Sequence, residues 1–313
     1  MKTKLLDIFI CPNCKNELKL KIDKIEVEEV IEGELICKNF HSYPIIKSIP
    51  RFVSSDKYVD SFSYEWEVFA DTLLDSRREE KFSANFFQNH LISPLEGLRD
   101  KLILDVGCGM GHFMEIAALQ GGETVGIDLS YAVDVAYKLI GHLPNIHIIQ
   151  ADILELPFKR ETFDFIYSFG VLHHTPDCRK AFHTLPQYLK KGGEISICVY
   201  AYNFGIVLSS KFWRFFTTRL SKKALYYFSY IAFPLYYLYL IPVIGKFFRA
   251  IFFVPDIKNW KRRHLEMFDW YSPHYQSNQS ASDVSGWFRE MGIEVLKIFN
   301  DAASVYGRKT VRE

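Results

Sequence analysis

The sequence predicts an α/β protein organised on a parallel, doubly wound sheet, and three observations carry that expectation. An apolar run, Leu102-Ile-Leu-Asp-Val106, passes straight into the glycine turn Gly107-Cys-Gly-Met-Gly111 and then into a helical pattern from about His112. Further apolar runs recur at 124–127, 146–150, 163–168 and 194–200, with helix-length stretches between them. Acids stand at or just after the ends of the first three runs, Asp105, Asp128 and Asp152, on the edge where α/β sheets take their ligands.

At 313 residues the chain can hold two domains and a substantial core. Its 38 basic and 37 acidic side chains leave a formal charge of +1, which excludes a global basic field and leaves only local contacts for nucleic acid. The opening residues, Met1 to Ile10, are interrupted by Asp7 and too short for a signal-peptide core. Six cysteines are few for this length, and three of them near the start have metal-like spacing, so a reducing, cytoplasmic location is expected.

Residues 1–53 read as a unit of their own. Cys11-Pro-Asn-Cys14 is a C-x-x-C turn, and after short alternating runs at 17–22 and 34–36 come Cys37 and His41. Two such knuckles facing each other make a tetrahedral site, for which Zn2+ is the natural occupant, because a segment this small builds little core without a staple. Unpaired structural cysteines are the alternative. With Tyr43-Pro-Ile45 and Ile49-Pro50 behind it, the segment resembles the zinc-ribbon module related to the small activator subunit of tRNA methyltransferases. That family closes its site with a fourth cysteine. Here C-x-x-x-H does so, a spacing more like the N-terminal zinc site of large-subunit rRNA guanine methyltransferases, and His41 is the ligand this departure puts in question.

The flank 54–98 is charged and helical in character, with aromatic residues at Phe62, Tyr64, Trp66, Phe69, Phe82, Phe86 and Phe87. Core packing explains those spacings. The stretch Ser61-Phe-Ser-Tyr-Glu-Trp66 also resembles a segment that folds over the cofactor in a group of bacterial methyltransferases, and both readings stay open.

The glycine turn supplies the chemistry. Glycine lets backbone approach a ligand closely and adopt the dihedrals of a tight strand-to-helix turn. Asp105 would repel a pyrophosphate and welcome a cation, and the third glycine of a dinucleotide fingerprint is replaced by His112. The turn therefore resembles the first motif of class I S-adenosylmethionine (SAM)-dependent methyltransferases of the methyltransferase-11-like kind, with a Rossmann-like sheet. That resemblance implies cofactor contacts from Asp105, Gly107, Cys108, Gly109 and Gly111. It implies ribose contacts from Asp128 beside Leu129, and adenine contacts from Asp152, Ile153 and Leu154, although an N-capping aspartate at 152 would look the same. Phe169-Gly-Val-Leu-His-His-Thr-Pro-Asp177 resembles the loop beside the sulfonium, which adds Phe169 and Gly170. His173 and His174 are the candidate catalytic bases, with Tyr64, Tyr271 and Asp269 behind them. Pocket lining or helix capping would equally explain the histidines.

The sheet is expected in two parts, 99–203 and 265–313, around an apolar insertion at 204–264. Residues 224–245 carry no charge, are rich in Tyr and Phe, contain Pro234 and Pro242, and are flanked by Lys222, Lys223, Lys246 and Arg249. The length would just span a bilayer, but the prolines favour broken amphipathic helices that cap the site or lie on a membrane surface. A helix at 281–291 and strands at 293–299 and 304–309 complete the sheet. Because the insertion, lying between strand five and the last strand pair, is expected over the reacting methyl, and because Lys258, Lys261, Arg262 and Arg263 form the only notable basic cluster, an apolar small-molecule or lipid-linked acceptor is expected, with peripheral membrane contact and with RNA behind it. An rRNA or tRNA methyltransferase and a non-catalytic SAM-binding or partner-activating protein are the alternatives.

Overall fold

The computed structural model describes residues 1–53, 57–70, 72–79, 81–202, 204–299 and 303–310. The N-terminal segment forms an antiparallel sheet of β1 (Leu18–Glu26), β2 (Glu29–Cys37), β3 (Ser42–Ile46) and β4 (Ile49–Pro50). The first two strands run longer than expected because a two-residue turn, Val27-Glu28, with both residues in the left-handed region, pairs them out to Glu26 and Glu29. Alternation then buries Val30, Leu35 and Cys37 on one face of β2.

This small sheet is joined to the rest of the molecule by main chain as well as by packing. Ile10 N–H donates to Pro157 O at 2.9 Å, Lys159 N–H to Ile8 O at 2.9 Å, and Phe52 N–H to Gln150 O at 2.8 Å. Phe9 stacks on Phe158 with ring centroids 5.9 Å apart, and the two units share one hydrophobic core. The bond from Phe52 and the Arg51–Gln150 bridge cover the outer edge of the large sheet.

That sheet has seven strands among the described residues: β5 (Leu102–Val106), β6 (Glu123–Asp128), β7 (Ile146–Gln150), β8 (Phe163–Phe169), β9 (Leu189–Val199), β10 (Ile293–Phe299) and β11 (Ala303–Lys309), in the order β10-β11-β9-β8-β5-β6-β7. β5 to β9 are parallel, as their near-continuous apolar runs require. β11 is antiparallel to both β9 and β10, so a hairpin closes one side of the doubly wound sheet whose other strands are parallel. A connection as short as that between β10 and β11 permits only a hairpin.

Helices α3 (His112–Leu119), α4 (Ala132–Ile140) and α5 (Cys178–His183) connect the parallel strands. The last ends at His183, since Pro186 interrupts the run and Leu189 already belongs to β9. α1 (Asp60–Val68) and α2 (Phe82–Asn89) come from the flank. The insertion is broken into α6 (Phe204–Thr217), α7 (Lys222–Phe228), α8 (Ala232–Tyr239) and α9 (Pro242–Ile251), with Pro242 at the first position of α9. Among the described residues, no helix is long and apolar enough to cross a membrane. The side chains of Lys246 and Arg249 lie outside the described residues. α10 (Trp260–Tyr271) and α11 (Ala281–Glu290) follow, and α11 docks on α5 through Phe182 and Phe288, stacked at 4.9 Å.

Candidate active site and metal centre

A cavity of about 450 Å³ opens above the carboxyl ends of β5, β6, β8 and β9. Its floor is Val106, Ile127, Phe169 and Val199, and it includes the point where the chain leaves β7 to return on the other side of β5. Of the residues picked out from the sequence, Gly107, Cys108, Gly109, Asp128, Leu129, Asp152, Ile153, Phe169, Gly170 and His174 line it. Asp105, Gly111, Leu154 and His173 do not.

The turn is built so that backbone faces the cavity. Gly107 has φ +81°, and a Cβ there would stand 2.3 Å from the Val171 side chain. Gly109 has φ +52°, and its N–H donates to Asp128 Oδ2 at 2.9 Å. Asp128 Oδ1 accepts from both the backbone N–H and the hydroxyl of Ser130, at 2.8 and 2.6 Å. Burial raises its pKa and these hydrogen bonds hold it down, so the carboxylate is fixed at the strand tip with lone pairs left for a diol.

Asp105 is placed differently from the expectation that it would meet a cation. It lies beneath the turn, 3 % exposed, with Oδ2 accepting from the Tyr167 hydroxyl at 2.8 Å, and burial pushes its pKa up to about 8. Asp152 caps the turn that follows it, accepting from Leu154 N–H at 3.0 Å, while still lining the cavity. Gly111 packs toward Ile140 of α4.

Both candidate histidines are buried and neutral. His173 Nδ1 accepts from Tyr200 N–H at 3.3 Å, and its ring stacks on Tyr200 at 3.8 Å. His174 Nδ1 bonds the Tyr275 carbonyl at 3.0 Å, which places the proton on Nδ1. Burial takes His173 well below its ordinary range and His174 down to about 3. Tyr64 and Tyr271 pack in a neighbouring core rather than on the cavity wall; Asp269 lines it.

The roof is α1, α2 and α10. Phe62, Glu65 and Trp66 of α1, Phe82 and Phe86 of α2, and Leu265, Glu266, Asp269 and Trp270 of α10 face the turn. The segment 61–66 therefore folds over the cavity. No described residue of 204–264 lines it, which corrects the expectation that the insertion lies over the reacting group. The insertion instead turns Leu225, Ala232 and Tyr239 inward and leaves Tyr227, Phe233 and Tyr237 exposed. The basic cluster also splits. Arg263 is buried over the Tyr236 ring and Arg262 lies over Phe82 and bonds Glu266, leaving Lys258 and Lys261 outside. Glu65, Tyr200, Glu266 and Trp270 went unrecognised as site residues in the sequence because their spacing is that of ordinary amphipathic segments.

In the N-terminal module, one donor atom each from Cys11, Cys14, Cys37 and His41 lies within 4.8 Å of every other. Cys11 Sγ and Cys37 Sγ are each 3.4 Å from His41 Nδ1, and Cys14 Sγ is 3.5 Å from Cys37 Sγ. Zinc–sulfur bonds of about 2.3 Å set tetrahedral edges of roughly 3.8 Å, so the donor set fits Zn2+. Lys15 and Phe40, at φ +57° and +61°, turn the two knuckles so that His41 faces the cysteines.

A Rossmann-like sheet, a glycine turn under an acid-tipped second strand, and an N-terminal thiolate–imidazole cluster give this chain the fold and motifs of a class I SAM-dependent methyltransferase domain joined to a zinc-ribbon module. Residues 104–197 match the family model described as a methyltransferase domain, and residues 2–48 match the Trm112p-like protein family. Similar proteins include a tRNA U34 carboxymethyltransferase of Ruthia magnifica, 29% identical over 47% of this chain and 50% of that protein. One of the same name from Pseudomonas paraeruginosa is 38% identical over 33% of this chain and 34% of its own. The chain thus spans half or less of the length of these two relatives. A solved complex of the Haloferax volcanii Trm112 methyltransferase activator with a putative methyltransferase is 12% identical, covering 83% of this chain and 99% of that one at a TM-score of 0.49.

These relatives correct the expected acceptor and partners. Their names specify a tRNA substrate, where the sequence reading placed an apolar or lipid-linked acceptor and a membrane surface ahead of RNA.

Proposed function

We propose that the chain transfers a methyl group from SAM to RNA, a tRNA in the first instance, in the cytoplasm. The observation that carries this is the similarity of its cofactor domain to proteins named for modification of tRNA U34, in a chain that also carries a Trm112p-like module. SAM supplies an electrophilic methyl on a sulfonium, and the protein's share of the work is to bind, orient and exclude water. In this reading Gly107, Cys108 and Gly109 lie against the cofactor, with Gly111 setting the turn. Asp128 and Leu129 hold the ribose, Asp152, Ile153 and Leu154 the adenine edge, and Phe169 and Gly170 border the transferred group. Cys11, Cys14, Cys37 and His41 hold one zinc. Residues 1–53 act as a built-in companion module, and 99–203 with 265–313 form the catalytic domain.

Methyl is favoured over carboxymethyl by charge. A carboxymethyl group carries a carboxylate on the reacting carbon, and no Lys or Arg lines the cavity among the described residues, whereas Glu65, Asp128, Asp152, Glu266 and Asp269 do. A further carboxylate there would be desolvated with no lining cation to pair it, among carboxyls whose ionised forms burial already disfavours. The test is incubation with radiolabelled SAM and a lysate separated into RNA, protein, lipid and small-molecule pools. Label in the tRNA fraction, as a methyl group, is expected; label in any other pool alone overturns the RNA assignment.

A further inference from the structure

Three carboxyl groups in the cavity lie outside the set proposed to hold the cofactor: Glu65 on α1, and Glu266 and Asp269 on α10. They stand on the roof, whereas Asp128 and Asp152 rise from the strand ends. Glu65 is 1 % exposed and its Oε2 has no hydrogen-bond partner. A buried carboxyl oxygen of this kind is costly unless a ligand brings it a donor. Asp269 is held with more care. Its Oδ2 accepts from the Tyr200 hydroxyl at 2.7 Å. Tyr200 sits just past the end of β9 with its ring between those of His173, at 3.8 Å, and Trp270, at 4.9 Å. An aromatic clamp on both faces of the phenol fixes where the hydroxyl points, and so fixes the carboxylate.

The geometry points to Asp269 as the group that takes the proton lost by the methyl acceptor, with Tyr200 as its positioning residue and Glu65 as the recipient of an N–H or O–H donor on the acceptor. The acceptor's lone pair forms the new bond to the methyl carbon, the carbon–sulfur bond breaks with its electron pair left on sulfur, and the acceptor's proton passes to the Asp269 oxygen that Tyr200 does not hold. The sulfonium charge is lost and the Asp269 carboxylate is neutralised, so charge balances. This rests on the cavity being the methyl-transfer site and is independent of the choice of RNA as acceptor.

The groups facing Asp269 are Glu65 from α1, Tyr200 from just past β9, Arg214 from α6 and Glu266 from its own helix. Burial raises Asp269 to about 6, while the Tyr200 hydrogen bond and the Arg214 charge pull it down. It is therefore ionised at neutral pH and close enough to neutrality to hold a proton, whereas His174, down near 3, is a feeble base.

The experiment compares wild type, Asp269→Asn, Tyr200→Phe and Glu65→Gln. Calorimetry gives SAM affinity, and single-turnover transfer is followed from pH 5 to 8 on whichever lysate pool the wild type labels. Wild-type rates should rise with pH through about 6 and level off. Asp269→Asn should bind SAM within about threefold of wild type, yet transfer ~100-fold more slowly and without that rise. Tyr200→Phe should keep the rise but move it to higher pH, because the lost hydrogen bond favoured the ionised form. Glu65→Gln should raise KM for the acceptor more than it lowers kcat. Transfer at the wild-type rate by Asp269→Asn with the pH step intact, or loss of its SAM binding, overturns the assignment. Label in a protein or small-molecule pool sinks the RNA reading alone, since the same variants then decide the proton acceptor on that pool. No label in any pool overturns both.

Discussion

Gly109 lies directly beneath Trp66: a Cβ built at position 109 would stand 2.9 Å from the indole Nε1, and φ there is +52°. One helix of the flank is thus seated on the glycine backbone that lines the cavity. Gly109→Ala must either displace the indole or strain the turn, at a cost of about 1–3 kcal/mol. SAM affinity should fall about 10-fold or more by calorimetry. Adding Trp66→Ala should restore part of the loss by removing the overlap while leaving the dihedral strain. An unchanged affinity in Gly109→Ala would mean that α1 does not sit on the turn.

Asp128 offers a sharper test, because it holds the turn and lines the cavity together. Asp128→Ala leaves the Gly109 N–H and both Ser130 donors without their acceptor. Hydrogen bonds to charged groups contribute about 1.5–3 kcal/mol, so SAM affinity should drop 10- to 100-fold. Comparing S-adenosylhomocysteine with its 2′,3′-dideoxy analogue separates the two effects. Wild type should prefer the diol and Asp128→Ala should not. Equal preference in wild type would remove the ribose contact.

The strands and their acid tips were legible because buried parallel strands need continuous apolar runs and the ligand edge needs glycine and carboxylate, both local in sequence. Ile146–Gln150, His112–Leu119 and Ile293–Phe299 fall where the pattern put them. The roof was legible only in part. Nothing in the spacing of Glu65, Tyr200 or Trp270 separates a residue over a cavity from one in a core, since both lie on the inner face of an amphipathic element. The insertion misled for the same reason: aromatic density reports that a face is covered, not by what. Asp105 shows a further limit. Its place before the glycine is plain in the sequence, but whether a carboxyl there meets a ligand or a tyrosine depends on the side chain of Tyr167, which lies 62 residues further along the chain.

The metal centre should be structural for the whole chain. Cys11 follows directly on Ile8, Phe9 and Ile10, which carry the main-chain and aromatic contacts to Pro157, Phe158 and Lys159. Protein purified without added metal should contain one zinc, and Cys11→Ser should lose it while Cys178→Ser, a buried cysteine elsewhere, keeps it. A loss on the order of 3 kcal/mol would lower Tm by about 5 °C. Zinc retained in Cys11→Ser, or none in the wild type under reducing conditions, would defeat the ligand set.

Asp105 makes stability depend on pH in a direction opposite to that of a salt-bridged carboxylate. Burial lifts its folded pKa to about 8, against an ordinary value near 3.9 in the unfolded chain, and the Tyr167 hydrogen bond only partly opposes this. Between those two values the folded protein keeps a proton that the unfolded chain has released. The stabilising contribution is therefore complete below about pH 4 and is lost as pH rises toward 8, with a slope of about 1.36 kcal/mol per pH unit. Asp105→Asn has the same shape, can still accept from Tyr167, and carries no titrating proton. Urea unfolding at pH 4.5, 6 and 7.5 should show the variant gaining on wild type at each step, while SAM affinity at pH 7 stays within about threefold, because a neutral Asp105 supplies no counter-charge. A variant that loses ground as pH rises would mean that Asp105 is ionised in the fold, and a large loss of SAM affinity would put its charge back at the ligand.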